Sequence, residues 1–317
     1  MPPDLSILIV NWNTRELLLA CLRSITAPAE IVVVDNASHD GSADAVATEF
    51  PGVTLIRNDR NVGFAAANNQ AYQACRGRYA LLLNSDTLVP PGSLERLTAY
   101  MAAHPRVGIV GPRLEYGDGS YQISALRFSR PWDVYYEYAR FPRLLQPAAQ
   151  KAPRRLIPLS ETEPTPVEYV MGAALLIRRE AVDAIGLMDD AYFMYAEEVD
   201  WCFRARAAGW EIMYLPTAVI THLGGQSTAQ VPDLMLAYRF ASTLRFMRLH
   251  YGPAATLGTR ALLTVAAIQN TLLALAFRLA GRESQEGWRA ERRRNGVVLR
   301  TALAGTVPHA LQPSLES

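Results

Sequence analysis

The sequence contains few cysteines, and its first residues lack a secretion signal. Its three cysteines, Cys21, Cys75 and Cys202, are far apart and odd in number. This spacing excludes a metal-ligand motif and a disulfide framework and favours a reducing compartment. No basic segment with a long apolar stretch and a cleavage site precedes residue 11, so we expect a cytoplasmic protein. Half of the residues are hydrophobic, which is enough for a sizeable core and excludes a disordered chain.

A glycine-rich phosphate turn is also missing. No G-x-G-x-x-G follows the first apolar run at 5–10. Dehydrogenases and epimerases that bind dinucleotides need that turn. These two classes are therefore disfavoured.

The sequence does contain a regular alternation of short apolar runs and helical patterns. Strands are predicted at 5–10, 31–34, 53–57, 79–83, 107–110 and 211–215, with an ordered block at 169–177. Helices are predicted at 15–25, 42–50, 65–75, 93–104, 179–185 and 197–208. The stretch 111–166 is predicted to be irregular. This rhythm predicts an α/β fold with a mostly parallel, doubly wound sheet, which binds ligands at the carboxyl ends of its strands.

Polar side chains follow three of the predicted strands. Asn11 and Asn13 come after the first, Asp35 ends the second, and Asn84-Ser85-Asp86 ends the most apolar one. Asp35 is a candidate acceptor for a base or a ribose hydroxyl, and Asp86 is a candidate ligand for the cation that a diphosphate leaving group needs. Asn84 is a candidate for the ribose or the cation. Helix caps and strand-ending turns explain the same residues equally well.

Three carboxylates occur within four residues in the helix predicted at 197–208. Glu197 and Asp200 share one helical face, whereas Glu198 points away from them. Crowded acids next to aromatic residues gain proton affinity, which suits a general base, although acids in a first helical turn also favour the helix dipole. His222 precedes the flexible pair Gly224-Gly225 and is either a ligand or an ordinary loop residue.

Taken in order, these motifs resemble family 2 glycosyltransferases of the GT-A type, especially bacterial rhamnosyltransferase-like members. The resemblance covers about residues 4–228. The motifs that carry it are Ser6-Ile7-Leu8-Ile9-Val10-Asn11-Trp12-Asn13, Val33-Val34-Asp35-Asn36-Ala37-Ser38, Asn61-Val62-Gly63-Phe64 with Asn68-Asn69, Leu82-Leu83-Asn84-Ser85-Asp86, Gly172-Ala173-Ala174, Glu197-Glu198-Val199-Asp200-Trp201-Cys202-Phe203-Arg204-Ala205-Arg206, and His222-Leu223-Gly224-Gly225.

The resemblance implies an inverting, metal-dependent hexosyltransferase of cell-surface polysaccharide synthesis. It implies a nucleotide-diphosphate sugar as donor, dTDP-rhamnose ahead of UDP-sugars, and a saccharide or polyprenyl-linked saccharide as acceptor. The roles implied for individual residues are nucleotide-sugar binding by Asn11, Asn13, Asp35, Asn61, Asn84 and Ser85, binding of Mg²⁺ or Mn²⁺ by Asp86 and His222, proton removal by Glu198, and positioning of acceptor or donor by Glu197, Asp200 and Trp201. Two positions depart from the family pattern, because Asn84 replaces the first acid of D-x-D and Glu198 replaces the usual aspartate.

The C-terminal part is basic and apolar. Residues 234–300 carry eleven arginines and three glutamates, a balance that favours an anionic partner. Helices are predicted at 235–250 and 256–280, and the second is short and interrupted for a membrane span. An interfacial helix, a packing helix and a span all remain open. We therefore predict a transferase domain at 1–228 and a helical extension at 229–317 in peripheral contact with the inner face of the cell membrane.

Two other functions fit parts of the sequence. A nucleotide-sugar binding or scaffold protein without turnover is the first alternative, because Asn84 makes the metal site incomplete. The three acids and His222 argue against it. A nucleic-acid partner is disfavoured, because the basic segment is also long and apolar, which suits lipid better than a phosphate backbone.

Overall fold

The structure is a computed structural model that describes residues 4–140, 155–226, 228–308 and 311. The strands are β1 (Leu5–Asn11), β2 (Glu30–Asp35), β3 (Thr54–Arg57), β4 (Tyr79–Asn84), β5 (Thr87–Leu88), β6 (Val107–Glu115), β7 (Tyr121–Gln122), β8 (Ala125–Leu126), β9 (Thr165–Pro166), β10 (Tyr169–Val170), β11 (Ala174–Arg178) and β12 (Glu211–His222). The helices are α1 (Arg15–Ser24), α2 (Ser42–Glu49), α3 (Phe64–Ala74), α4 (Ser93–Ala103), α5 (Pro131–Tyr138), α6 (Arg179–Ile185), α7 (Glu197–Ala207), α8 (Pro232–His250), α9 (Gly252–Leu279) and α10 (Gln285–Ala304).

One mixed sheet organises the first part of the chain. Its strands lie in the order β3-β2-β1-β4-β11-β6-β12-β5, with β7 beside β6 and β9 beside β12. Strands β3, β2, β1 and β4 are parallel, and so are β6 and β12, whereas β11 and β5 run antiparallel to their neighbours. The predicted α/β fold with a mostly parallel sheet is therefore confirmed.

The core lies around the central strands, whose side chains are apolar on both faces. In β1 and β4, Ile7, Ile9, Leu81 and Leu83 are buried in one hydrophobic cluster with side chains of α1 and α4. Such continuous apolar runs are typical of strands covered by helices on both sides. Apart from Ser6 near the start of β1, the polar side chains of β1 and β4 lie towards their carboxyl ends, at Asn11 and Asn84.

The stretch 111–166 is more ordered than predicted. Strand β6 continues to Glu115, and β7, β8, α5 and β9 also lie in this stretch; residues 141–154 are outside the described part of the chain. The continuation of β6 depends on pairing with β12, which extends to the pair Thr221 and Glu115. A long-range partner of this kind leaves no local signal in the sequence.

The predicted strand at 211–215 also continues further, to His222. A register shift between Leu215 and Val219 absorbs Pro216, which has no N–H for the ladder and is tolerated at a bulge. His222 is therefore the last residue of a strand and does not lie in a loop. Its backbone pairs with Thr87 of β5.

By its internal contacts the chain divides into two units. The first consists of Met1–Arg127, Ile157–Phe193 and Glu197–Gln230, and the second of Phe128–Leu156, Met194–Ala196 and Val231–Ser317. The second unit contains a core formed by α5, α8, α9 and α10, with Tyr138, Phe240, Leu263 and Val298 among its buried side chains. The helices predicted at 235–250 and 256–280 are confirmed as α8 and α9. The division at residue 228 stays a prediction.

Candidate active site

The carboxyl ends of β1 and β2 hold a hydrogen-bonded pair of side chains. Asn11 Nδ2 donates to Asp35 Oδ1 over 3.2 Å, and the Ser38 backbone N–H donates to Asp35 Oδ2 over 3.0 Å. Asn11 itself is completely buried, and Thr14 Oγ1 donates to its Oδ1 over 2.7 Å. Asn11 therefore acts by fixing Asp35, whose carboxylate oxygens each retain an acceptor lone pair.

The two loops that follow these strands hold each other. Ser38 Oγ accepts the Asn13 backbone N–H over 3.0 Å, and Asn13 Oδ1 accepts the His39 N–H over 2.8 Å. Asn13 and Ala37 have φ angles of 53° and 64°, a left-handed conformation that costs free energy in residues other than glycine and is found at ligand sites. Thr14 is the N-cap residue of α1, but its hydroxyl makes no cap bond and lies 2.9 Å from Ser85 Oγ.

Asn61 belongs to a neighbouring network of amides. Its Oδ1 accepts from Asn36 Nδ2 over 2.7 Å and from the Gly63 N–H over 3.0 Å. Gly63 has a φ of 89°, and the next residue, Phe64, donates its N–H to the Phe193 carbonyl over 2.7 Å. The Asn61 loop is therefore tied to the segment that leads into α7.

A carboxylate and an imidazole meet where β4 and β12 end. His222 Nε2 lies 3.2 Å from Asp86 Oδ1 and 3.3 Å from Asn84 Nδ2. On the other side of the ring, Nδ1 lies 2.8 Å from Gln122 Oε1. Because an amide oxygen only accepts, Nδ1 is the ring nitrogen that donates to Gln122, and Nε2 faces Asp86 and Asn84.

The two residues before β11, Gly172 and Ala173, lie between this pair and the acidic helix. The Asn84 N–H donates to the Ala173 carbonyl over 3.0 Å. A Cβ on the preceding residue, Gly172, would lie 3.4 Å from Glu198 Cγ. Glu198 therefore lies next to the chain segment that contacts the end of β4.

The three acids of α7 have different environments. Glu197 and Asp200 are buried, with 3% and 2% of their surface exposed, whereas Glu198 is partly exposed. Burial, followed by the charge of Glu198, raises the pKa of Glu197 well above its usual value. Glu197 is therefore the acid that holds its proton more strongly than usual, and Glu198 is the one of the three that is partly exposed, with its Oε2 atom buried.

Asp200 and Trp201 hold α7 in position. Arg204 Nε donates to Asp200 Oδ2 over 2.8 Å, and the same guanidinium reaches the carbonyls of Ile185 and Leu187. Trp201 Nε1 donates to the Gly186 carbonyl over 2.9 Å. Both side chains are buried, so they affect a substrate only by fixing the position of α7.

The structure thus brings Asn11, Asn13, Asp35 and Ser85 into one network, Asn84, Asp86 and His222 into a second, and Asn61 into a third. Four residues of these networks, Thr14, Asn36, Ser38 and Gln122, are additional to those predicted from the sequence. Thr14, Asn36 and Ser38 lie in the loops that follow the strands predicted at 5–10 and 31–34, and this position was a usable signal. The sequence gave no such signal for Gln122, because its partner, His222, is 100 positions away.

The fold is of the GT-A type. A mannosyltransferase from Pyrobaculum calidifontis, solved in complex with GDP-Man and Mn²⁺, superposes with a TM-score of 0.53. The alignment covers 96% of this chain and 87% of that one, at 19% sequence identity.

The chain belongs to glycosyl transferase family 2, whose family model matches residues 6–186. A similar protein is the N-acetylglucosaminyl-diphospho-decaprenol L-rhamnosyltransferase of Mycobacterium tuberculosis, 29% identical over 261 residues, which are 73% of this chain and 79% of the relative. The low-salt glycan biosynthesis hexosyltransferase Agl10 of Haloferax volcanii is 26% identical over 65% of this chain and 62% of its own. The protein is therefore a glycosyltransferase of glycan synthesis, as the motifs indicated.

We expect Gly63→Ala to destabilise the protein by about 2–4 kcal/mol and to lower kcat. The added Cβ would lie 2.6 Å from the Phe193 carbonyl oxygen at a φ of 89°, which combines left-handed strain with overpacking. Urea unfolding and initial rates measure both effects. Gly119→Ala is the matched control, because Gly119 has a φ of 80° and no atom within 4 Å; it costs about 1 kcal/mol. Equal losses in the two variants would contradict the close approach of Gly63 to Phe193.

We expect Glu197→Gln to stabilise the protein more at pH 8 than at pH 5. The folded-state pKa of Glu197 lies above its unfolded value, so its contribution is fully present below the unfolded pKa and decreases as pH rises towards the folded pKa. Glutamine does not ionise, so the variant does not lose this stability as pH rises. Melting temperatures measured from pH 5 to pH 8 test the expectation, and a variant whose Tm differs from wild type by the same amount at every pH would show that Glu197 is ionised in the folded state.

Proposed function

We propose that the enzyme transfers a sugar, with rhamnose as the first candidate, from a nucleotide diphosphate to a lipid-linked saccharide with inversion of configuration. The observation that carries the proposal is the arrangement just before β11, where the partly exposed Glu198 lies beside Gly172 and the Asn84 N–H donates to the Ala173 carbonyl. The rhamnosyltransferase relative supports the choice of sugar and acceptor, since its name specifies a saccharide on a decaprenyl diphosphate. We take dTDP as the first nucleotide and UDP as the second.

Glu198 acts as the general base in this proposal. Its carboxylate removes the proton of the acceptor hydroxyl as that oxygen bonds to the anomeric carbon of the donor. The bond from the anomeric carbon to the diphosphate breaks at the same time, and the nucleotide diphosphate leaves with the electron pair. Burial raises the pKa of the neighbouring Glu197, so Glu197 holds its own proton more strongly than an ordinary carboxyl group does.

Asp35 binds the donor's pyrimidine through its free acceptor lone pairs, and Asn11 and Ser38 keep its carboxylate in place. Asn13, Asn61 and Ser85 supply loop and hydroxyl groups at the same edge of the sheet. A pyrimidine ring presents N–H and carbonyl groups, which match a carboxylate and neighbouring amides.

The residues at the ends of β4 and β12 fit Mg²⁺ or Mn²⁺. A carboxylate oxygen of Asp86 and the Nε2 atom of His222 lie 3.2 Å apart there, with Gln122 holding the ring, and oxygen and nitrogen ligands of this kind suit these ions. Among the described residues, no group of three His, Cys, Asp or Glu side chains could hold a metal. Asp86 and His222 would therefore share it with the donor's phosphates. When bound, the ion neutralises charge that develops on the departing diphosphate.

The second unit supports peripheral contact with the inner face of the cell membrane. Within the described residues, α9 is the one helix whose length and mean hydropathy of 1.6 qualify it for a membrane span. Such a helix alone is weak support, because core helices of other proteins have the same properties. The eleven arginines of residues 234–300 add a charge that suits anionic lipid.

Glu198→Gln is expected to lower kcat by about 10²- to 10⁴-fold, the usual worth of a general base, while donor affinity stays within about twofold. Glu198→Asp keeps a carboxylate and retains much more activity than the glutamine variant. Glu180→Gln, an exposed acid on α6, is the control and leaves turnover unchanged. Steady-state kinetics with the donor Kd measured separately distinguish these effects. Full activity of Glu198→Gln would remove Glu198 from the role of base.

Donor binding is expected to require the cation, because the cation links the donor's phosphates to Asp86 and His222 in the proposed site. Two protein ligands alone hold a metal weakly, so the cation in turn needs the donor. Melting temperatures are measured with UDP-, dTDP- and GDP-sugars, each with Mn²⁺ and with a chelator. One nucleotide is expected to raise Tm by several degrees with Mn²⁺ and much less without it, while Mn²⁺ alone has little effect. Asp86→Asn should abolish the difference. A shift that is independent of the metal would contradict the metal site, and no shift with any nucleotide would contradict the donor site.

A further inference from the structure

The outer face of α9 is an exposed apolar stripe. We define this stripe as Leu257, Val265, Ile268, Leu272, Leu275 and Leu279, whose side chains are between 38% and 81% exposed. With the exposed Ala261, these residues follow one another at intervals of three or four, so they lie on one side of the helix. The stripe is about 33 Å long at the rise of an α-helix. A continuous apolar surface of this kind marks an interaction site.

The opposite face of α9 is fixed within the second unit. Leu263, Ala266 and Ala267 belong to its core. Asn270 accepts the Arg140 N–H over 2.8 Å and donates to the Tyr138 carbonyl over 3.1 Å. Arg260 donates from Nε to the Ala302 carbonyl of α10 over 2.7 Å. The helix therefore cannot enter a bilayer alone without breaking these contacts, and its stripe contacts a partner along its side.

A basic groove borders the stripe. It has a volume of about 590 Å³ and lies between α9 and α10, with Ile268 and Leu272 on one side and Arg289, Arg292 and Arg300 on the other. These three arginines are exposed. A further lining residue, Arg293, pairs with Asp233 at 3.1 Å. Apolar side chains thus stand beside several cationic groups.

We propose that the stripe and this groove bind the surface of a membrane rich in anionic phospholipid. The stripe enters the boundary between headgroups and acyl chains, and the arginines contact lipid phosphates, which is the usual arrangement of an interfacial helix. The inference rests on the membrane contact of the proposed function and specifies its face, its orientation and the class of lipid.

A second copy of the chain fits this surface less well. The centre of an interface between identical chains is depleted of charge. A two-fold contact through the stripe would bring the groove arginines of both copies together. An anionic lipid surface instead supplies the opposite charge.

Co-sedimentation of the full chain with vesicles tests the proposal. Wild type is expected to bind vesicles of phosphatidylcholine with 30% phosphatidylglycerol and to bind pure phosphatidylcholine vesicles weakly. Arg289→Gln with Arg292→Gln should weaken binding about 30-fold, since each arginine near an anionic surface contributes about 1 kcal/mol. Arg96→Gln with Arg106→Gln, two exposed arginines of the first unit, changes net charge equally and should have little effect.

A second pair of variants tests the stripe. Ile268→Ser with Leu272→Ser removes exposed apolar side chains, so folding is expected to be preserved, as circular dichroism and Tm can verify. We expect at least tenfold weaker binding. Transfer to a soluble acceptor analogue should stay unchanged in all of these variants, so loss of vesicle binding is separable from failure of the proposed chemistry.

Two outcomes would overturn the proposal. Equal weakening by the two arginine pairs would assign binding to overall charge. A wild-type dimer in sedimentation that the Ile268 and Leu272 substitutions dissociate, together with no vesicle binding, would assign the stripe to a second copy of the chain.

Discussion

The parallel register of β1, β2 and β4 is the constraint on which the rest of the candidate active site depends. Asn11 pairs in register with Asp35, and Val10 pairs with Asn84, so the three strands end at one level. The polar residues at the three strand ends therefore lie at the same edge of the sheet, which is where open α/β sheets bind ligands. A shift of one residue would turn Asp35 to the other face of the sheet.

The antiparallel strands add the groups that parallel strands could not supply. The pairing of β12 with β5 brings His222 beside the chain that carries Asp86. The pairing of β11 with β4 brings Gly172 and Ala173 between that chain and Glu198. The candidate active site therefore combines residues at the ends of parallel strands with residues that antiparallel strands bring beside them.

Burial gives different environments to residues that look alike in the sequence. Glu197, Glu198 and Asp200 lie within one helical turn, yet burial raises the pKa of Glu197, Asp200 pairs with Arg204, and Glu198 alone of the three is partly exposed. Asn11 similarly looks like a ligand-binding residue and is fully buried. Such residues hold their neighbours in place, and a site of this kind depends on them as much as on the groups that touch substrate.

The sequence by itself determined the α/β order, the strand ends with their polar residues, the acidic helix and the helices α8 and α9, because hydrophobic periodicity and local motifs encode these features. Tertiary structure alone decided the length of β6 and β12, the contact of Gln122 with His222, and which acid of α7 is accessible. It also decided that α9 exposes an apolar stripe beside arginines of α10. The physical reason is that pairing, burial and electrostatic environment depend on partners far away in the chain, which periodicity over a few residues does not reveal.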